Sequence, residues 1–314
     1  MEDGRSILIQ IGKLLGISVL LLLAVLSIDY TYGLRRAPRS LTQRSKTEHF
    51  HIYSDANDAI IDYYERFFEG FYDYFETEYA EIGYGRPLKV YLFGDVDNYA
   101  QYVADIRGPR TPYGFYMGLW QNIVVVNIDS GIGTATHTLV LHFIRTSFKR
   151  RPAKWAEDGI AVFFEKFIGH FDEDGKLSIS FGYFSNWRFP TTKKLVKFFS
   201  LNDLVNAEQP DQSNAGALML FLHKKGLFKE FVKQLSRVSD DPTGVRTLEK
   251  VYGRPLSEIE KDFKDWINTQ PIDENVNLVQ YSFVLPADQW QIWRQNNETR
   301  LYWDEAEQIY RVKK

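Results

Sequence analysis

Cysteine is absent from the 314-residue chain. That absence excludes a disulfide framework, a thiolate-ligated zinc and a thiol nucleophile, and it suits either side of a bacterial membrane. A strong charge of one sign is missing as well: 38 Lys and Arg stand against 41 Asp and Glu, a formal net charge of -3. With no Lys/Arg stripe interleaved with aromatics beyond the short "KRR" at 149–151, no nucleic-acid partner is expected. "SGIGT" has one G-x-G and no third Gly, too little for a dinucleotide fingerprint; Thr134 or Thr136 as a helix N-cap accounts for it. There is no G-x-S-x-G elbow or paired-carboxylate spacing, and "DEDGK" at 172–176 is too short for a calcium loop.

What is present is apolar and aromatic: 44% hydrophobic and 16% aromatic residues, enough for a sizeable core and too much for a disordered chain. Residues 7–28 carry one charge, Lys13, and then run uncharged from Leu14 to Ile28, close to the ~20 residues that cross a ~30 Å hydrocarbon layer. The reading adopted is an uncleaved single-pass anchor. A cleavable signal peptide competes with it, but "DYTYGLRR" offers no small-x-small cleavage pattern. Tyr30 and Tyr32 suit the interface, whereas Arg35, Arg36 and Arg39 outnumber Arg5 and Lys13, so the positive-inside rule does not by itself export the C-terminal bulk. An extracytoplasmic bulk is the working expectation.

Periodicity divides the rest. "HFHIYSD" alternates as a half-buried strand, with His49 and His51 on its solvent face, and residues 57–82 place Ile60, Tyr64, Phe67, Phe71, Phe75 and Tyr79 at helical steps. "LKVYLFG" and "NIVVVNID" read as strands with a short helix at 97–106 between them, and "SISFGYF" as a further strand. Helical patterns follow at 213–225, 227–238 and 257–268, the last opening with Ser257 and Glu260 spaced as a capping box. Residues 280–312 alternate like three or four strands joined by "PAD", "QNN" and "DEAE", dense in aromatics such as Trp290, Trp293, Tyr302, Trp303 and Tyr310. The expected plan is an α+β protein: anchor 1–33, linker 34–47, a mixed-sheet subdomain 48–170, a mainly helical subdomain 171–270 and a β-rich tail 271–314.

The stretch "TATHTLVLHFIRTSFKRRPAKWAEDGIA" (134–161) carries the chemistry. In H-E-x-x-H, His at i and i+4 share a helix face and converge on zinc, and the Glu between them polarises the metal-bound water. Here His137 stands first, Thr138 takes the Glu position and Leu141 the second His. His142, five residues on, points roughly 140° away at ~100° per residue. Two histidines in an apolar helix are, taken alone, ordinary hydrogen-bonded core residues.

The order of motifs resembles the peptidase MA-like branch of the gluzincin zinc peptidases. "T-H-E-L-x-H" corresponds to Thr136-His137-Thr138-Leu139-Val140-Leu141, and "P-x-W-x-x-E-G-x-A" to Pro152, Trp155, Asp158, Gly159 and Ala161, with Asp for Glu and one extra residue between Pro and Trp. "FHIYSD", "LKVYLF", "YGFY", "NIVVVN", "SNAGALMLFL" and "VYGRPLSEIEKDFKDWI" extend the likeness over about residues 48–268. The resemblance implies a zincin-like subdomain whose active-site-type helix bears His137. It also implies that the vestigial site of His137, Thr138, Leu141 and Asp158 has lost its base and its second metal ligand, with Glu157 and His142 as neighbours. Three protein ligands and an open position are what catalytic zinc needs. No cofactor is therefore expected, zinc binding being absent or weak. Zincins lay an extended peptide along a sheet edge beside the active helix, here Gly114 to Met117 or Asn122 to Asn127, with Gly114, Tyr116, Asn122 and Val124 as the pairing positions. The function expected is a non-catalytic pseudopeptidase binding a polypeptide or protein partner. The alternatives are an active metallopeptidase with other ligands, or a structural envelope protein.

The anchor reading has a direct check. Full-length protein is expected in the membrane fraction, and N-terminal sequencing that begins beyond residue 30 would replace the anchor with a cleaved signal.

Overall fold

The computed structural model describes residues 16–21, 37–83, 86–106, 111–118, 122–182, 192–194, 196–270 and 283–286, the single positions Gln289 and Ile292, and the backbone of 301–304 and 309–312. The 7–28 span thus lies mostly outside the described residues. Residues 16–21 are helical, with Ile17, Val19, Leu20 and Leu21 exposed; among the described residues no helix is long and apolar enough to cross a membrane.

The chain builds a five-stranded mixed sheet from β1 (Thr42–Lys46), β2 (Phe50–Ser54), β3 (Leu88–Phe93), β4 (Gly114–Met117) and β5 (Ile123–Asn127). Their order is β1-β2-β3-β5-β4: β2, β3 and β5 run parallel, and β1 and β4 are antiparallel strands at the two edges. Strands β3 and β5 are apolar on both faces because both faces are covered. Val90, Leu92, Val124 and Val126 join the main core, while Tyr91, Phe93, Ile123 and Val125 join a smaller one. Helix α1 (Asp58–Glu78) and helix α3 (Ile132–Ser147) pack on the first side, and α2 (Val96–Asp105) covers the second through Tyr99 and Tyr102.

The aromatic stripe read from the sequence is the spine of α1. Asn57 caps it by accepting from the Ile60 amide at 3.0 Å, and Tyr64, Phe67, Phe68, Phe71, Tyr72 and Phe75 are buried. Phe71 lies within 6 Å of Phe67, Phe143 and Phe164, ring centre to ring centre. One helix thereby seats α3 and the turn that follows α4 (Lys154–Phe163). Strands β6 (Phe167–Phe171) and β7 (Leu177–Phe181) form a hairpin in which Asp172 accepts from the amides of Asp174 and Lys176. Five helices complete the body: α5 (Leu201–Asn206), α6 (Gln212–Lys224), α7 (Phe228–Arg237), α8 (Val245–Tyr252) and α9 (Leu256–Thr269). Helices α4 and α6 cross at glycines. A Cβ on Gly159 would sit 2.8 Å from the Ala215 carbonyl oxygen, and one on Gly216 would sit 2.4 Å from Val162 Cγ1.

Several expectations shift. Position 170 falls inside β6, and the tail strand β8 (Phe283–Leu285) pairs in parallel with β6. One core runs from Phe50 to Val284. Of the tail, β9 (Leu301–Asp304) and β10 (Ile309–Val312) pair antiparallel; Gln289 and Ile292 are helical where a strand was expected, and Trp290 and Trp293 lie outside the described residues. The Ser257 capping box does not form: α9 starts at Leu256 with no side-chain cap, and Glu260 accepts instead from the Leu201 amide and Lys264.

Phe71→Ala is expected to lower the unfolding free energy in urea by roughly 3–5 kcal/mol, the cost of a phenyl-sized cavity. Phe198→Ala, at a side chain 73% exposed, should stay within about 0.5 kcal/mol of the parent.

Candidate functional site

Helix α3 carries the stretch "HTLVL", and its start differs from expectation. Gly131 (φ 84°) is the N-cap and no side chain caps the helix. Thr134 and Thr136 lie inside the first two turns, and their hydroxyls donate to carbonyls of the preceding residues: Thr134 to Ser130 at 3.3 Å, Thr136 to Gly133 at 2.8 Å. The same hydroxyl lies 2.8 Å from the Phe164 carbonyl, so its one proton is shared between the Gly133 and Phe164 carbonyls. That bond pins the turn after α4 against α3 and delivers the next residue, Glu165, to His137. Nδ1 of His137 lies 2.8 Å from Glu165 Oε1, an ion-pair approach without the alignment of a directed hydrogen bond.

His137 and Glu165 form one wall of an open cleft of about 480 Å³, which Tyr113, Gly114, Thr134 and Thr138 also line. The cleft lies at the C-terminal end of β5, where Asn127 leads through a short 3-10 turn into α3; open sheets with parallel strands present their ligand sites at this end. Thr138 is buried and donates to its own helix at Thr134 O, 2.8 Å. With the proton committed there and no accessible charged form, it supplies no base.

The remaining motif residues diverge. Leu141 packs at the margin of the core. His142 faces away from the cleft, as its five-residue offset requires: its ring meets Tyr116 edge-on at 5.4 Å, and Nδ1 lies 3.4 Å from the Tyr116 hydroxyl. Burial, reinforced by the nearby Arg145 charge, lowers its pKa to about 3, so it is neutral across the physiological range. Asp158 is salt-bridged one turn back to Lys154. Glu157 is inaccessible to solvent and clamped by Arg145 (Nε to Oε1, 2.8 Å) and Arg151 (terminal nitrogen to Oε2, 2.7 Å). Among the described residues no group of three or more His, Asp or Glu could hold a metal ion. The residues at the motif positions do not fit zinc: Leu141 offers no donor atom, the Thr138 proton is committed, and Asp158 already has a cation.

Sequence reasoning missed Glu165 and the two arginines. Glu165 lies outside both motifs, 28 residues after His137, and its one trace is a charged pair, Glu165-Lys166, inside the apolar run "IAVFFEKFI". The basic run at 149–151 is not merely a solvated loop, since Arg151 holds the buried carboxylate.

Of the two segments expected to offer a peptide edge, Gly114 and Tyr116 lie on β4, the outer strand of the sheet. Val124 lies in β5, which is paired on both sides, with β3 and β4, and Asn122 immediately precedes that strand. Tyr116 is held in place by donating to Asn122 Oδ1 at 2.9 Å and by the Arg145 guanidinium 5.0 Å above its ring. In comparisons with known proteins, no family model matches the chain and no curated protein matches it in sequence.

Glu157 yields a stability prediction. Burial pushes its carboxyl pKa up, but the hydrogen bonds and charges of Arg145 and Arg151 outweigh burial and hold it below the ordinary 4.5. A depressed folded pKa means a stabilising contribution that is fully present above the unfolded value near 4.5 and disappears as pH falls through the folded value. Glu157→Ala is expected to cost about 3–5 kcal/mol at pH 7 in urea unfolding. The difference from the parent should narrow only below pH 4.5.

Proposed function

We propose that the protein is a membrane-anchored, non-catalytic relative of the peptidase MA-like zinc peptidases that captures an extended segment of a partner polypeptide on strand β4. The observation that carries this reading is the contrast between the two edges of the sheet. Strand β1 is blunted as edge strands commonly are: its register slips at a bulge between Gln43 and Ser45, and Arg44 and Lys46 stand exposed along it. Strand β4, "GFYM", has no charge, no proline and no bulge, and it borders the cleft beside His137. An edge left unprotected is a template for another strand. The missing base at Thr138 and the apolar Leu141 at the second-ligand position support binding without hydrolysis.

A second reading draws on one contact. Glu165 beside Nδ1 of His137 resembles the carboxylate that orients a histidine base, which favours a hydrolase working through imidazole.

Selection of random displayed peptides on the purified full-length chain tests both. The winners are expected to protect the Gly114 and Tyr116 amides from hydrogen exchange. They should weaken roughly tenfold for each lost pairing when alternate peptide amides are N-methylated. Failure to recover any binder, or protection elsewhere, overturns the docking reading; cleavage of bound peptides replaces it with the hydrolase.

A further inference from the structure

Between strand β7 and helix α5 the sequence changes in charge. From Leu177 to Asn202 it holds Arg188, Lys193, Lys194 and Lys197 and no Asp or Glu, in a chain whose acids outnumber its Lys and Arg by 41 to 38. The lysines of this run differ in their engagement: Lys193 donates to the Gln270 carbonyl, whereas Lys194 and Lys197 are exposed. The acid that α9 brings to the segment, Glu260, bonds the Leu201 amide and is balanced by Lys264 at 2.6 Å. Asp203, in the first turn of α5, ends the run.

The same segment carries Phe198, 73% exposed and the most exposed large apolar side chain among the described residues. A single exposed apolar residue is ordinary, but this one is held out by its neighbours. Phe198 closes a 3-10 turn, Val196–Phe198, and Val196 and Phe199 on either side of it are buried. The Phe199 ring lies 4.9 Å from that of Phe263 on α9. With both flanks fixed in the core, the turn has only its solvent side left for Phe198. Lys197 Nζ stands 4.8 Å from the centre of the Phe198 ring, so ring and charge are presented together.

An apolar ring among lysines meets conflicting demands in water and compatible ones at the boundary of an anionic bilayer. The ring gains by leaving water for the acyl layer, and each lysine near an anionic leaflet is worth about fivefold in binding. Two lysines and one ring are too few to hold a protein on a membrane unaided. A chain tethered by residues 7–28 keeps the bilayer at high local concentration, where contacts this weak are sufficient.

We propose that the turn at Val196–Phe198 is a second membrane contact, with Phe198 entering the headgroup boundary of an anionic leaflet and Lys194 and Lys197 meeting its phosphates. This contact fixes which face of the body lies on the bilayer. The inference rests on the membrane-anchored part of the proposed function and is independent of strand docking at β4.

Because the chain has no cysteine, Phe198→Cys offers a single position for an apolar nitroxide side chain. The full-length labelled protein is reconstituted in vesicles of phosphatidylglycerol and phosphatidylcholine in equal parts. Relative to vesicles of phosphatidylcholine alone, collisions with oxygen are expected to rise and collisions with a water-soluble nickel chelate to fall. A label placed through Val96→Cys, exposed on α2 across the sheet, should show neither change. Salt at 1 M, where the screening length is ~3 Å, should return the label at 198 to water. Lys194→Glu combined with Lys197→Glu should weaken the contact by at least about 25-fold, fivefold for each lysine lost. A label at 198 that stays in water on vesicles carrying the protein, or equal immersion at 96, overturns the second contact and leaves the anchor standing. Immersion indifferent to both salt and the lysine changes overturns the pairing with an anionic leaflet. Protein that fails to float with vesicles of either composition overturns contact and anchor together.

Discussion

A carboxylate without access to solvent must be held by cations, and the geometry of the cleft depends on how Glu157 is held. Its oxygens take Arg145 from α3 and Arg151 from the segment that joins α3 to α4. The two helices are thus fastened at the C-terminal end of α3, while Thr136 fastens them at the other end through the Phe164 carbonyl. Arg145 also stands over the Tyr116 ring. The same charge that neutralises Glu157 therefore supports the edge strand on which docking is proposed. Exposed ion pairs contribute little; this one matters because one partner is buried and cannot be left alone.

The aromatic core supplies the attraction, and the polar bonds choose the arrangement. Phe67, Phe71 and Phe75 could pack against many apolar surfaces, since burial has no preferred direction. What selects one packing is the set of directed contacts around it, among them the Asn57 cap and the Gly159 and Gly216 crossing, where a methyl on either helix would collide with the other.

Legibility in the sequence followed this split. The strand at Phe50, the α1 stripe and the direction of His142 could be read from period, and the strands at Leu88 and Ile123 from their β-branched and aromatic content, because both are properties of neighbouring residues. Helix starts were less legible. Thr134 and Ser257 have the right side chains for caps, yet Thr134 lies inside the helix and donates to the Ser130 carbonyl, and Glu260 turns to the distant Leu201 amide. The Glu165 contact with His137 could not be read at all, because it arises from the crossing of two helices and no spacing rule relates positions 137 and 165. Edge and centre of the sheet were likewise left open, since β4 and β5 differ in pairing and not in pattern.

Around the helix pair α3 and α4, three acidic side chains each have a partner of their own: Lys154 for Asp158, Arg145 and Arg151 for Glu157, and the imidazole of His137 for Glu165. In a zinc site the ion's two positive charges would balance such carboxylates together. A chain that dispenses with the ion must replace that charge residue by residue, or carry buried carboxylates that raise their pKa and destabilise the fold. Side-chain cations do this without a shared centre. On the proposed reading, loss of the metal and retention of the groove are therefore compatible. On that reading the charge balance sits in the helix pair behind the cleft, and the uncharged edge strand β4 borders the cleft in front of it.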